Sequence, residues 1–241
     1  MARARKPIPQ YLENGFKIIV DSNETLGYTF QGFSRRHSSG VRLPLAIELV
    51  HLPLWSTDRR DVTVGSGKRQ ETHSVGYADY SIEGLHRHIQ IERKSLSDLV
   101  STVAGRHSRF EAEIKRLHED CLVAAVVIEA TLAQISVYNT DASTEQVREN
   151  PLDGLIGGVG GCGGFDQDDL SFEVDARPRF GKTSPEVVLG TISSWKQKYR
   201  NVHWEFCGNR SMAEMWTLKI LQNFWDKWIE GFWDDELKRR K

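Results

Sequence analysis

The stretch GYADYSIEG (residues 76–84), continued by LHRHIQIERKSLSD (residues 85–98), carries the pattern from which the fold follows. Val75 to Ile82 and His88 to Lys94 are β-prone runs separated by a short turn containing Gly84, which is a hairpin signal. On a strand, side chains two apart share a face, so Glu92 and Lys94 point one way and Arg93 the other. With the turn centred on Leu85 and His86, the cross-strand pairs run Glu83 with His88, Ser81 with Gln90, and Asp79 with Glu92. Directly opposed residues have Cβ atoms about 4.5–5.5 Å apart, and two carboxylates there repel unless something neutralises them. A divalent cation would do so. Magnesium prefers one or two carboxylates, with water and substrate phosphate filling the rest of its octahedron. Such an ion polarises a phosphodiester and lowers the pKa of a bound water, while Lys94 orients the nucleophile and offsets charge on the phosphate. The pattern points to phosphodiester hydrolysis with magnesium or manganese, with Asp79, Glu92 and Lys94 as candidate catalytic residues.

Upstream, FKIIV (residues 16–20) is a short apolar run ending at Asp21, as expected of a buried strand that delivers a carboxylate at its C-terminal end. Ala46 to Trp55 predicts a second strand, which Pro53 makes an edge or ends early. Asp58 to Ser74 is polar and reads as a loop or a frayed hairpin. Downstream the period lengthens: Leu96, Leu99, Val100 and Val103, then after Gly105 Phe110, Ile114 and Leu117, predict two helices or one bent helix. CLVAAVVIEA (residues 121–130) has the composition of a central strand, and the succession of helix and strand argues for an α/β sheet. From 139 to 183 the pattern is lost, and GLIGGVGGCGG (residues 154–164) reads as part of a mobile insertion. Ser184-Pro185-Glu186 starts a helix to about Arg200, Val202 to Cys207 is a further strand, and a long helix begins near Asn209. Its stripe of Leu218, Leu221, Trp225, Trp228 and Phe232 faces a core, though the excess of tryptophan leaves a homodimer surface open. The expected organisation is a basic tail over 1–15, one domain over 16–233, and a charged tail over 234–241.

At 241 residues the chain can bury a sizeable core without a disulfide or metal staple. No run approaches the roughly 18 apolar residues that span a bilayer, and the basic N-terminus is followed by no apolar signal segment, so a cytoplasmic location is expected and no membrane partner. Cys121, Cys162 and Cys207 lack zinc spacing. Val62 stands where a phosphate loop ending at Gly67-Lys68 needs its first glycine, so no nucleotide cofactor is expected. The net charge of −1 means that any contact with nucleic acid must be local. Basic residues gather between Arg87 and Arg116, and Arg106, His107 and Arg109 are expected to touch a DNA backbone near a helix N-terminus. His86 and His88 are read as phosphate-facing or solvated. Asp98 fits two readings, a site residue and half of a capping box with Ser95.

Taken in order, GYADYSIEG, IERKSLSDLV, GRHSRFEAEIKRL (residues 105–117) and VVIEA (residues 126–130) resemble the nuclease domain of the XPF/Hef family of structure-specific endonucleases. That family's signature is ERK-x-x-x-D preceded by Gly-Asp, and Glu92 to Asp98 supplies the block; Val20-Asp21-Ser22-Asn23-Glu24 resembles its Val-Asp-x-Arg-Glu. The resemblance implies a restriction-endonuclease-like α/β fold, a central mixed sheet flanked by helices. It implies that Asp79 and Glu92 bind metal, that Asp21 and Glu24 line the same metal site, that Lys94 assists the water, and that Arg93 and Asp98 belong to the catalytic block. It also implies endonuclease action on DNA, branched, nicked or junction substrates included, and a role in repair or recombination. Asn23 departs from the family's arginine and Ala78 from its glycine, and the Trp-rich helix stands where relatives carry paired helix-hairpin-helix motifs. The alternative is a catalytically silent DNA-binding partner subunit of the same fold.

Overall fold

The structure, a computed structural model, describes residues 11–36, 40–138 and 183–239. The expected insertion over 139–183 thus lies, except for Thr183, outside the described residues. A seven-stranded mixed sheet runs through the molecule in the order β2 (Ser34–Arg36), β3 (Arg42–Leu52), β1 (Tyr11–Asp21), β6 (Tyr80–Ile82), β7 (Ile89–Lys94), β8 (Val123–Ile128), β9 (Val202–Phe206). The strands β7, β8 and β9 are parallel, as are β1 and β3, and β6 runs antiparallel between the two blocks. This is the expected α/β architecture with a central mixed sheet. Strand β1 begins at Tyr11, ahead of the expected boundary at 16, and Asp234–Arg239 of the charged C-terminal stretch forms a short helix, α6. Strand β3 is an inner strand that stops at Leu52, before the proline that cannot donate to its ladder.

Alternation along the central strands sends side chains to two separate cores. Ala124, Val126 and Ile128 of β8 pack in one core with α1 (Leu96–Gly105), α2 (His107–Asp120), α3 (Leu132–Val137) and α4 (Pro185–Lys198), while Ala125 and Val127 pack under α5 (Arg210–Ile229). Strand β7 follows the same rule: Ile89 and Ile91 join the α5 core, which turns Gln90, Glu92 and Lys94 toward α1 and α2. The break between α1 and α2 falls at Gly105, as expected, and Ser95 caps α1 by accepting from the Asp98 backbone N–H at 3.1 Å. In α5, Leu218 and Leu221 are buried with Trp225 and Trp228 packed beside them, so the stripe is mainly core; Phe232 is exposed.

Residues 60–75 form a hairpin, β4 (Arg60–Val64) with β5 (Glu71–Val75), laid on α2 through Val62, Val64, Val75 and Ala112. Arg116, 2% exposed, ties it down by donating to the backbone oxygens of Val75 and Asp58. The chain then passes Gly76 so close to the 3-10 turn Leu54–Ser56 that a Cβ there would meet the Trp55 carbonyl oxygen at 1.6 Å. Gly76→Ala must push that backbone aside and is expected to cost about 3 kcal/mol or more. The unfolding midpoint in denaturant checks this: a midpoint matching the wild type would show that the contact is not required.

Candidate active site

Tyr80 pairs with Ile91 across β6 and β7, the register expected from the turn, and both side chains sit in the α5 core. Their neighbours Asp79 and Glu92 therefore belong to the opposite side of the sheet. The Asp79 Oδ2 accepts from the Arg93 N–H at 2.7 Å, and the Asp79 carbonyl accepts from the Asp21 N–H at 2.8 Å. The Lys94 Nζ lies 2.6 Å from the Glu92 Oε1. Gln90, fully buried on the same side, accepts from the Ala78 N–H at 2.9 Å and so holds the backbone just ahead of Asp79. Asp79, Glu92, Lys94, Glu113, Arg106 and Arg109 line one pocket of about 240 Å³, walled by Trp55, Tyr77 and Phe110.

The pocket is crowded with carboxylates taken out of water. Burial, and then the adjacent Glu92, push the Asp79 carboxyl well above its ordinary range, against the opposing pull of Lys94. Glu113 is pushed up to about 7 by burial and by Glu92, with Lys94 and Arg109 opposing. Burial alone would pull the Lys94 amine down, but the Glu92 and Asp79 carboxylates outweigh it and hold it above its ordinary value. Lys94 is therefore an ammonium at neutral pH.

Other expected site residues are distributed around this pocket and do not line it. Asp21 is 5% exposed, and its carboxylate accepts from the Trp55 N–H at 3.3 Å and from the Asn23 amide at 3.4 Å. Arg93 points to the opposite side of the sheet, where it donates to Glu129 at 2.7 and 3.1 Å and to Glu24 at 3.0 Å. Glu24 is thus engaged by arginine across the sheet from Lys94, and among the described residues no three acids, histidines or cysteines are grouped to hold a metal. Asp98 is exposed and lies 3.6 Å from Arg106. His107 rests its ring 4.9 Å from Trp195, away from the pocket lining. His86 and His88, read from sequence as phosphate-facing or solvated, instead lie against Tyr77 at 5.4 Å and Trp228 at 5.0 Å. Aromatic partners, one from just before the hairpin and one from far along the chain, override the polar character of that turn.

Glu113 and Gln90 escape the sequence reading, although both were within reach of it. Gln90 shares the parity of Glu92, and Glu113 stands one helical turn after Arg109, whose Nε lies 3.4 Å from its carboxylate. Glu113 also makes a stability prediction. The folded protein keeps its proton up to about pH 7, whereas the unfolded chain loses it near the ordinary 4.5. Between those values the folded state binds more protons, so this residue makes stability fall as pH rises. In EDTA, Glu113→Gln is expected to shrink the loss of melting temperature from pH 4.5 to 7 by about 3 °C. A pH profile identical to that of the wild type would refute the assignment.

The family model of the ERCC4 domain matches residues 7–220, a span that takes in every residue of the pocket. No curated protein matches the chain. Pocket, mixed sheet and match agree with an XPF/Hef-type nuclease domain of restriction-endonuclease-like fold. The chain belongs to the ERCC4 domain family, a nuclease family acting on DNA.

Proposed function

We propose that the chain is a divalent-metal-dependent endodeoxyribonuclease that hydrolyses phosphodiester bonds in its pocket, with branched and nicked DNA among its substrates. The observation that supports this most is the convergence of Asp79 and Glu92 on one side of the sheet with the Lys94 Nζ 2.6 Å from the Glu92 carboxylate. Asp79 and Glu92 would hold magnesium or manganese. Both are hard oxygen donors, and a site of few acids completed by water and substrate phosphate suits such an ion. When bound, the ion supplies Lewis-acid polarisation of the phosphate and a lower pKa for water. Burial and the neighbouring Glu92 push the Asp79 proton affinity up, and a cation would relieve the second of these.

Lys94, a charged donor, cannot take a proton from water; it orients the attacking oxygen and offsets charge building on the phosphate. Arg106 and Arg109 stand at the rim beside the first turn of α2, which has no side-chain cap, and bind phosphates flanking the reacting one. Incubation with labelled fork, flap and plain duplex DNA, in magnesium, manganese or EDTA, tests the proposal and ranks the substrates. Glu92→Gln and Lys94→Ala are each expected to lower cleavage by about 10²–10³-fold. Binding in EDTA should change far less. Retained nicking by both variants refutes these roles, and binding without cleavage by the wild type under both metals marks a silent DNA-binding subunit instead.

A further inference from the structure

Trp55 is held in place more firmly than a surface tryptophan needs to be. Its N–H donates to the buried Asp21 carboxylate at 3.3 Å, its carbonyl abuts Gly76, and the preceding Leu54 carbonyl accepts from the Tyr77 N–H at 3.2 Å. The indole ring walls the pocket, and two guanidinium groups lie over it: Arg59 at 4.1 Å and Arg109 at 5.3 Å from the ring centroid. Each arginine has a second tether, Arg59 to the Ser74 carbonyl at 2.7 Å and Arg109 to Glu113 at 3.4 Å. An arginine stacked on an aromatic face keeps the donors along its edge available for phosphate oxygens and loses less freedom when it binds them.

We infer that Trp55 is a positioning residue that presents Arg59 and Arg109 as a pair of phosphate grips beside the pocket, so that the backbone of a nucleic acid strand is held at two points next to the indole. The inference rests on the nucleic-acid reading above but not on cleavage. The Trp55 ring does not touch the reacting phosphate; it sets the direction from which the strand enters. The wider groove on the far side of Tyr77 shares Arg59 with this face, but its other arginine, Arg87, is paired with Asp58 at 2.6 Å, so fewer free cations face a strand there.

The test measures binding of a labelled duplex in EDTA as a function of salt, with thermal melting as the folding control. Each phosphate neutralised contributes a slope of about 0.9 in log affinity against log salt. Trp55→Leu is expected to flatten that slope by about one and to weaken binding about two- to fivefold, while Trp55→Phe, which keeps an aromatic face, restores most of both. Arg59→Gln, at an exposed side chain, should flatten the slope by about one without altering the melt. In magnesium, the KM of Trp55→Leu should rise by a larger factor than its kcat falls. A wild-type slope in Trp55→Leu and Arg59→Gln, or equal impairment in the leucine and phenylalanine variants, overturns the inference. Failure of the wild type to cleave, with these slopes as expected, sinks only the nuclease proposal.

Discussion

Strand β7 carries charge on both of its faces, and the structure is arranged around accommodating that. Arg93 goes to the α5 side and Glu92 and Lys94 to the α1–α2 side, all within three consecutive residues of a central strand. Each ion taken out of water costs several kcal/mol unless its hydrogen-bonding capacity is met. On the Arg93 side it is met internally. Glu24 and Glu129 accept from the guanidinium, Tyr28 lies 5.5 Å beneath it, and Arg210 at the start of α5 reaches the same Glu129 at 3.4 Å. That network joins the loop after β1, the ends of β7 and β8, and the first turn of α5.

On the Lys94 side the compensation is less direct. Asp79, Glu92 and Glu113 share Lys94, with Arg106 and Arg109 at the rim, and burial, together with the neighbouring Glu92, makes Asp79 and Glu113 hold protons more tightly than carboxylates ordinarily do. Under the proposed function, a divalent cation would take up the carboxylate charge of Asp79 and Glu92. Under that function the two faces of β7 separate a structural role from a chemical one, although their residues are adjacent in sequence.

How much of this is legible in the sequence depends on how local the determinant is. The hairpin register follows from a turn of fixed length, and the parity of Glu92, Arg93 and Lys94 follows from the pleat, so both are readable from a dozen residues. The two helices split at Gly105 are readable for the same reason. The destination of Glu24 is not, because membership in a signature block does not say on which side of the sheet a side chain ends, and neither are the acids that Arg93 meets on its side. Nor can His88 be placed from its neighbours, since its partner Trp228 is contributed by a helix that begins more than a hundred residues later. Trp55 is the extreme case: nothing near it in sequence indicates that β1, the 76–78 loop and α2 all converge on it.

Helix α2 is where these separate demands meet. Phe110, Ile114 and Leu117 anchor one face of it in the core, Ala112 and Arg116 carry the β4–β5 hairpin on another, and Arg109 with Glu113 occupies the edge over the pocket. Because 3.6 residues make a turn, these three sets are locked in phase, and rotating the helix to improve any one would displace the others. The hairpin is thus more than a surface addition. By weighting α2 from the side opposite the core and fixing the 76–78 loop against Trp55, it sets the position of the rim arginines relative to carboxylates that a different part of the chain supplies. Precision at the pocket is consequently a property of packing between the sheet and α2, which is why buried neutral groups such as Gln90 and Gly76 matter to it as much as the charged residues that line it.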